Sequence, residues 1–438
     1  MHAVGSRDRV ARAAIYCVIA AATLIAVRNA IVYPAVLGYD AREALDYAQS
    51  VVQQGRLPDG TGSYYTPPGF FALGGVGVEL SVWLDLDTRE RAAQVFNGLA
   101  AAATVVLLLV LVRLLWPGRD VLHLAALVFF VVCPVVLKSA AMFHPEPLSM
   151  LLSTAALVLA ARLLVRPGRQ LITAAALGLC LGLAQLVRAW TLWTLAVVVV
   201  VLVVAAATRA ADRRRLAIAT SLVVVVGVAV PAPWYAHQLA RYDNALFAQP
   251  APAEPLWNRR PLSFFVGSGL PHVVTEPYRP SFSNAFVPVA YAETWGDYYG
   301  VWRWFPSRGE PSAGARRELV TMSLVGLPFT LVAVAGWLAL LGLMLRRPGA
   351  RPERHLVALL PLGALAGILY FATAYPTPDS DTVKGSFMLT AVPAWAACFG
   401  FAFDGLRARF PRLSGALLCA LGAIALVALP FLFATADL

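Results

Sequence analysis

Charge is what this 438-residue chain lacks most: Asp, Glu, Lys and Arg together make up only 13% of it. Soluble domains carry about 25%, so a water-exposed globular fold of this length is excluded. Lysine is scarcer still, since Lys138 and Lys384 are the only two and every other basic side chain is arginine. Cysteine is confined to Cys17, Cys133, Cys180, Cys398 and Cys419, all within apolar runs. Cysteines placed there cannot staple an outer loop, and no CxxC or zinc-finger spacing is present. Also missing are a Gly-rich nucleotide loop and any HExxH, GxSxG or Walker sequence, which argues against a nucleotide-activated substrate and the common hydrolase chemistries.

What the chain has is apolar length: 59% of its residues are hydrophobic, with a mean hydropathy of +0.70. A membrane span needs roughly 20 apolar residues. Eleven stretches qualify, at about 12–34, 91–115, 121–140, 147–165, 171–189, 191–208, 216–234, 318–345, 355–374, 386–404 and 414–434. The expected fold is therefore an all-α polytopic membrane protein with about 11 transmembrane helices, forming one integral-membrane domain over residues 1–438. Arg7, Arg9 and Arg12 precede the first span as in a signal peptide. Its length, and the lack of a small-x-small cleavage site, favour a retained anchor.

Orientation follows from the arginines. With the N-terminus inside, the inner turns hold 19 arginines against five acids (Asp8, Asp120, Asp212, Glu353 and Asp404). The net charge of +11 thus reflects topology, and a nucleic-acid partner is not needed to explain it. The inner turns are short, whereas two long loops, 35–90 and 235–317, and a shorter one at 375–385 lie outside. Long loops rich in aromatics usually carry or cover a site, so function is expected on the outer face.

The first outer loop opens with Asp40. After it, Ala41, Leu45, Ala48 and Val52 recur at the period of an amphipathic helix, predicted over 41–54 and suited to a bilayer surface. A second interfacial or re-entrant helix is predicted over 69–84, which is apolar but short. Asp40 fits two roles. It can cap the helix, with Glu43 three residues on as in a capping box, or serve as a general base toward a hydroxyl.

His144-Pro145-Glu146-Pro147 opens the fourth span. It reads either as a polar contact for a ligand or metal, or as an ordinary helix start with an acid in its first turn. Lys138, Arg188 and Lys384 lie near the outer ends of spans, as does Arg28. Each can snorkel to headgroups. Gathered in one leaflet, they would suit a lipid-borne phosphate. The aromatic stretch 292–305 holds Glu293 and Asp297, candidate sugar or acceptor contacts, against the plainer reading of an aromatic interfacial belt.

These pieces resemble the GT-C superfamily of polytopic glycosyltransferases that use polyprenyl-phosphate sugars. The likeness is to the bacterial relatives of protein O-mannosyltransferases and of the aminoarabinose transferase of lipid A. It rests on Gly38-Tyr39-Asp40, Gly55-Arg56-Leu57-Pro58, Tyr65-Thr66-Pro67-Pro68, the span ending Gln185-Leu186-Val187-Arg188, Pro233-Trp234-Tyr235, and Lys384-Gly385-Ser386-Phe387 with Pro393. The resemblance implies Asp40 as the acid that activates the acceptor or binds an essential divalent metal. It also implies Lys384, Arg188 and Lys138 at the donor phosphate, and Tyr65, His144, Glu146, Glu293 and Asp297 at the sugar or acceptor. Many relatives carry two adjacent acids where this chain has Asp40-Ala41, which favours base catalysis over metal ligation. The expected partners are a polyprenyl-phosphate-linked sugar, a protein, lipid or polysaccharide acceptor, and membrane lipids, with the site on the outer face of the cytoplasmic membrane. The chain stops soon after its last span, so the outer loops are expected to recognise the acceptor alone. The rival reading, a lipid-linked saccharide flippase, requires polar residues deep in several spans, and few occur.

Overall fold

The computed structural model describes residues 2–37, 40–58, 66–166, 168–247, 253–267, 269–278, 285–296, 310–376 and 383–434. Among these residues every regular element is helical. Helix α1 (His2–Val32) leads into two shorter helices of the first loop, α2 (Ala41–Gln53) and α3 (Gly69–Trp83). Then come α4 (Arg91–Leu115), α5 (Asp120–Val132), α6 (Pro134–Ser139), α7 (Glu146–Val165) and α8 (Gln170–Val187). Helices α9 (Leu192–Thr208), α10 (Arg213–Ala229) and α11 (Ala232–Tyr242) precede the second long loop, which holds α12 (Leu262–Val266), α13 (Leu270–Thr275) and α14 (Phe286–Trp295). The chain continues through α15 (Ala313–Arg346), α16 (Pro352–Ala374), α17 (Val392–Arg409) and α18 (Ser414–Ala428).

Nine helices among the described residues are long and apolar enough to cross a membrane, and a bent pair makes a tenth. Two of the eleven expected spans therefore differ from simple rods. The stretch 121–140 breaks at Cys133, whose backbone is extended (φ −69°, ψ 108°) between α5 and α6. Pro134 explains the break, because proline disfavours the helical conformation of the residue before it. The stretch 216–234 bends by 47° between α10 and α11. It stays helical to Tyr242, so Pro233-Trp234-Tyr235 lies within a helix instead of marking its exit.

Helix α4 packs on α1 and α7, α7 on α8, α8 on α10, and α17 on both α5 and α15. The amphipathic stripe of α2 faces protein, not the bilayer surface: Ala44, Tyr47 and Ala48 pack with Phe70, Phe71 and Val78 of α3. Tyr47 stacks on Phe71 with ring centroids 4.0 Å apart. Gly75 makes this approach possible, since a Cβ there would overlap the Val52 side chain and lie 2.7 Å from the Ala48 carbonyl oxygen. Past its last turn α2 is terminated by Gly55 at φ 62°, the left-handed position glycine favours.

Between α6 and α7, residues 140–145 are buried but not helical. Backbone at membrane depth needs partners from protein, and α4 supplies them. Gln94 donates to the Ala141 carbonyl (2.7 Å), and Asn97 donates to those of Met142 (2.8 Å) and His144 (2.9 Å). One turn earlier Arg91 donates to the Ala30 carbonyl at the end of α1 (2.8 Å). Asp87 holds the same guanidinium at 2.7 Å. Helix α4 thus fixes both the segment leading to Asp40 and the one carrying His144 and Glu146.

The α2–α3 contact yields a first prediction. Gly75→Val overpacks it and should lower stability by about 1–3 kcal/mol, whereas the solvent-side change Gln54→Ala should be near neutral. Thermal unfolding in detergent measures both, and equal midpoints would refute the close-contact role of Gly75.

Candidate active site

The starts of α2 and α7, the end of α8 and the turn before α17 bring together residues far apart in sequence. Asp40 sits at the start of α2 in a left-handed conformation (φ 51°, ψ 25°) and its side chain makes no capping hydrogen bond. A short acidic residue tolerates that conformation. The capping-box expectation for its side chain is therefore corrected. The carboxylate is instead 3.8 Å from the Lys384 ammonium, with Asp40 48% and Lys384 11% exposed.

Lys384 opens a 3₁₀ turn, Gly385–Ala391, that leads directly into α17. Residues three apart eclipse in a 3₁₀ helix, which sets Lys384 over the Phe387 ring, 5.7 Å from its centroid. From the other chain segment Arg188 also approaches Phe387, at 5.1 Å. The two cations thus share one aromatic neighbour, a favourable arrangement for each. Phe387 was not singled out in the sequence, although its spacing from Lys384 was a usable signal. Glu293 is buried and its Oε2 accepts the Gly385 N–H at 2.8 Å, so it braces the turn that carries Lys384.

Arg188 ends α8 in extended backbone (φ −153°, ψ 121°). Its Nε and Nη2 both lie 2.8 Å from Glu146 Oε1, and its Nη1 donates to Thr66 Oγ1 at 3.2 Å. Both members of the Arg188–Glu146 pair are buried. Thr66 belongs to the Tyr-x-Pro-Pro element, and its bond to Arg188 ties the first loop to α8. His144 Nδ1 is 3.9 Å from Glu146 Oε1, too far for a hydrogen bond. Burial, followed by the positive charges of Arg188 and Lys384, holds the His144 imidazole well below its ordinary range. At neutral pH it is uncharged.

Lys138 is also buried, and its ammonium meets Glu318 of α15 at 3.3 Å. Tyr65 and Asp297 lie outside the described residues. The aromatics of the second long loop build a core: Phe247, Phe264 and Phe286 pack with Phe371 and Phe387. Trp190 meets Phe371 edge to face at 4.6 Å.

Two cavities adjoin these groups. One, of about 280 Å³, is lined by apolar side chains including Phe129, Tyr291, Trp295, Ile368 and Trp395, and Lys384 is the charged residue on its wall. The other, about 40 Å³, lies against Arg188, Thr66 and Trp190. The Trp190 indole N–H is buried there without a hydrogen-bond partner. Among the described residues no group of three or more His, Cys, Asp or Glu side chains converges to hold a metal ion. The nearest acids already face cations, Asp40 toward Lys384 and Glu146 toward Arg188, which does not suit a divalent ion.

No protein-family model matches the sequence, and no curated protein matches it either. Solved structures do. ArnT from Cupriavidus metallidurans, bound to undecaprenyl phosphate, is 16% identical with a TM-score of 0.50, covering 94% of this chain and 62% of its own. The archaeal oligosaccharyltransferase AglB from Archaeoglobus fulgidus, with an inhibitory peptide and a dolichol-phosphate, is 12% identical at 0.55, covering 97% and 55%. An Archaeoglobus fulgidus oligosaccharyltransferase in complex with Zn and sulfate is 15% identical at 0.54, covering 94% and 52%. The chain therefore spans between half and two thirds of the length of these proteins. At these identities the likeness establishes the fold alone: a polytopic helical architecture shared with these proteins.

Two predictions follow from the buried polar cluster. Removing one partner of a buried ion pair costs about 3–5 kcal/mol, so Arg188→Met and Glu146→Leu should each unfold at markedly lower temperature in detergent. The double variant should recover most of the loss, and an additive loss would rule out their pairing. The second concerns pH. Because the folded His144 resists protonation, the unfolded chain binds the extra proton once pH falls below about 6.5. Stability present above that pH is lost below it, by up to about 1.4 kcal/mol per pH unit. His144→Asn should flatten this part of the stability profile, and an unchanged slope would remove His144 as its source.

Proposed function

We propose that this protein is a membrane glycosyltransferase that moves a sugar from a polyprenyl-phosphate donor to an acceptor hydroxyl. One observation carries the reading: Asp40 and Lys384, from opposite ends of the chain, meet at 3.8 Å beside an apolar cavity of about 280 Å³ that Lys384 helps to line. An isoprenoid chain needs an apolar bed and its phosphate needs a cation. A flippase needs neither a base at that point nor a single dead-ended cluster of charge. The lipid phosphates held by ArnT and by AglB are consistent with such a donor.

In the mechanism we infer, the isoprenoid occupies the larger cavity and the phosphate binds Lys384, displacing the Asp40 carboxylate from it. Asp40, released from its counter-ion, accepts the proton of the acceptor hydroxyl as the oxygen attacks the anomeric carbon. The bond from that carbon to the phosphate oxygen breaks, and polyprenyl phosphate leaves with its charge met by Lys384. Attack opposite the leaving group inverts the anomeric centre. Arg188 adds positive potential from behind Phe387, while its own charge is largely balanced by Glu146. Neutral His144 and the Trp190 N–H offer hydrogen bonds to sugar hydroxyls, and Tyr65 and Asp297 are assigned to the acceptor side. The Zn of the oligosaccharyltransferase complex belongs to that protein, and no step here passes through a metal. The whole chain acts as one integral-membrane unit of the cytoplasmic membrane, N-terminus inside. Loops 35–90 and 235–317 cover an outer-face site that accepts a protein, lipid or polysaccharide hydroxyl.

The test is transfer from a panel of radiolabelled polyprenyl-phosphate sugars in proteoliposomes. Asp40→Asn should lower turnover by about 10²–10⁴-fold while leaving donor binding intact, and Lys384→Gln should chiefly weaken donor binding. Label that crosses the bilayer without a new glycosidic bond would replace the enzyme with a transporter, and wild-type turnover by Asp40→Asn would remove the base.

A further inference from the structure

The arginine-rich end of the bundle carries a second large cavity, of about 490 Å³, within the size range of ligand pockets. It lies between α1, α5 and α18, running from Val10 to Val18, from Val121 to Val128 and from Ser414 to Ala425, and Arg407 of α17 also lines it. Val128 of α5 borders this cavity while the next residue, Phe129, borders the one beside Lys384, so α5 contributes to the walls of both spaces.

Two features show that this space is not a packing seam. Gly415 and Gly422 of α18 both border it, and a Cβ on either would meet nothing within 4 Å. Small residues here hold room open without bringing helices together. Helix α18 is also sparsely packed: 17% of its membrane-spanning window is buried within the protein. The charge at the rim is positive and incompletely matched. Asp404 serves two guanidinium groups, those of Arg119 and Arg407. Arg407 reaches Asp404 at 3.3 Å and Ser414 Oγ at 3.5 Å, and its Nε is buried without a hydrogen-bond partner. Arg409 and Arg412 stand exposed beside it.

We propose that this groove binds one anionic glycerophospholipid, an acyl chain lying between α1, α5 and α18 and the phosphate held by Arg407. An apolar trough with a cation at its membrane-surface end matches that amphiphile, since basic side chains near the surface attract anionic lipids and guanidinium binds phosphate oxygens strongly. The proposal is independent of the reaction assigned above.

Native mass spectrometry of the delipidated full chain, titrated with phosphatidylglycerol or phosphatidylcholine of the same acyl composition, tests it. The wild type should hold one phosphatidylglycerol about tenfold more tightly than phosphatidylcholine. The double variant Gly415→Leu, Gly422→Leu fills open space. It should keep the wild-type unfolding temperature and lose about tenfold in affinity for both lipids. Arg407→Gln should erase the preference for phosphatidylglycerol, and Lys384→Gln should leave it unchanged. The proposal is overturned by undiminished binding in the filled variant, by equal affinity of the wild type for the two lipids, or by a lipid-free dimer. Polyprenyl phosphate retained in place of a glycerophospholipid, distinguished by its mass, also overturns it.

Discussion

Hydrocarbon offers a backbone no hydrogen bonds, and that constraint organises this structure. Wherever a helix is interrupted at membrane depth, protein must supply the missing partners. Around the candidate site the helices give way at four places: Cys133-Pro134, residues 140–145, Arg188 and the 3₁₀ turn after Lys384. Two of these breaks are patched by side chains from elsewhere: Gln94 and Asn97 serve the backbone of the second, and Glu293 that of the fourth. The polar residues gather where the helices end because only there does irregular backbone expose groups for chemistry to use. Helix α4, apolar for most of its length, does much of this work through Arg91, Gln94 and Asn97, successive residues on one face.

The same constraint governs charge. An isolated ion in this setting is costly, and each described cation of the site has a carboxylate: Lys384 with Asp40, Arg188 with Glu146, Lys138 with Glu318. The pairs differ in burial and distance. Arg188 and Glu146 are both buried and held by a hydrogen bond and an ion-pair contact, each 2.8 Å, to the same carboxylate oxygen. Asp40 and Lys384 are partly exposed and 3.8 Å apart, looser than a hydrogen bond. Burial, followed by the positive charges of Arg188 and Lys384, disfavours protonation of His144.

Much of the fold was legible because hydropathy is a strong signal in a chain that is 59% hydrophobic. The span 91–115 was placed to the residue, and most others fell within a few positions. The two departures have local causes. Proline at 134 breaks a run that reads as continuous by hydropathy alone, and the α10–α11 bend leaves apolar composition unchanged on both sides. For α2 the period was visible but its neighbour was not. An amphipathic stripe looks the same whether it faces lipid or the Gly-rich surface of α3. The site was legible in its ingredients, Asp40, Arg188 and Lys384, but not in their pairing. Which acid neutralises which base depends on contacts between segments that are 42 residues apart for Arg188 and Glu146 and far more for Asp40 and Lys384. Phe387 and Thr66 entered only as members of short motifs, because the sequence does not show that their side chains meet Lys384 and Arg188.

The arginine excess has a structural counterpart that strengthens the topological argument. Of the five acids on the arginine-rich side, the four whose side chains are described are each bound to arginine: Asp120 to Arg12, Asp212 to Arg215, Glu353 to Arg209 and Arg351, Asp404 to Arg119 and Arg407. They act as internal counter-ions that join neighbouring helices, so they cancel only part of the positive charge. One end of the bundle thus carries acids tied to arginines, while Asp40 and Lys384 meet at the other.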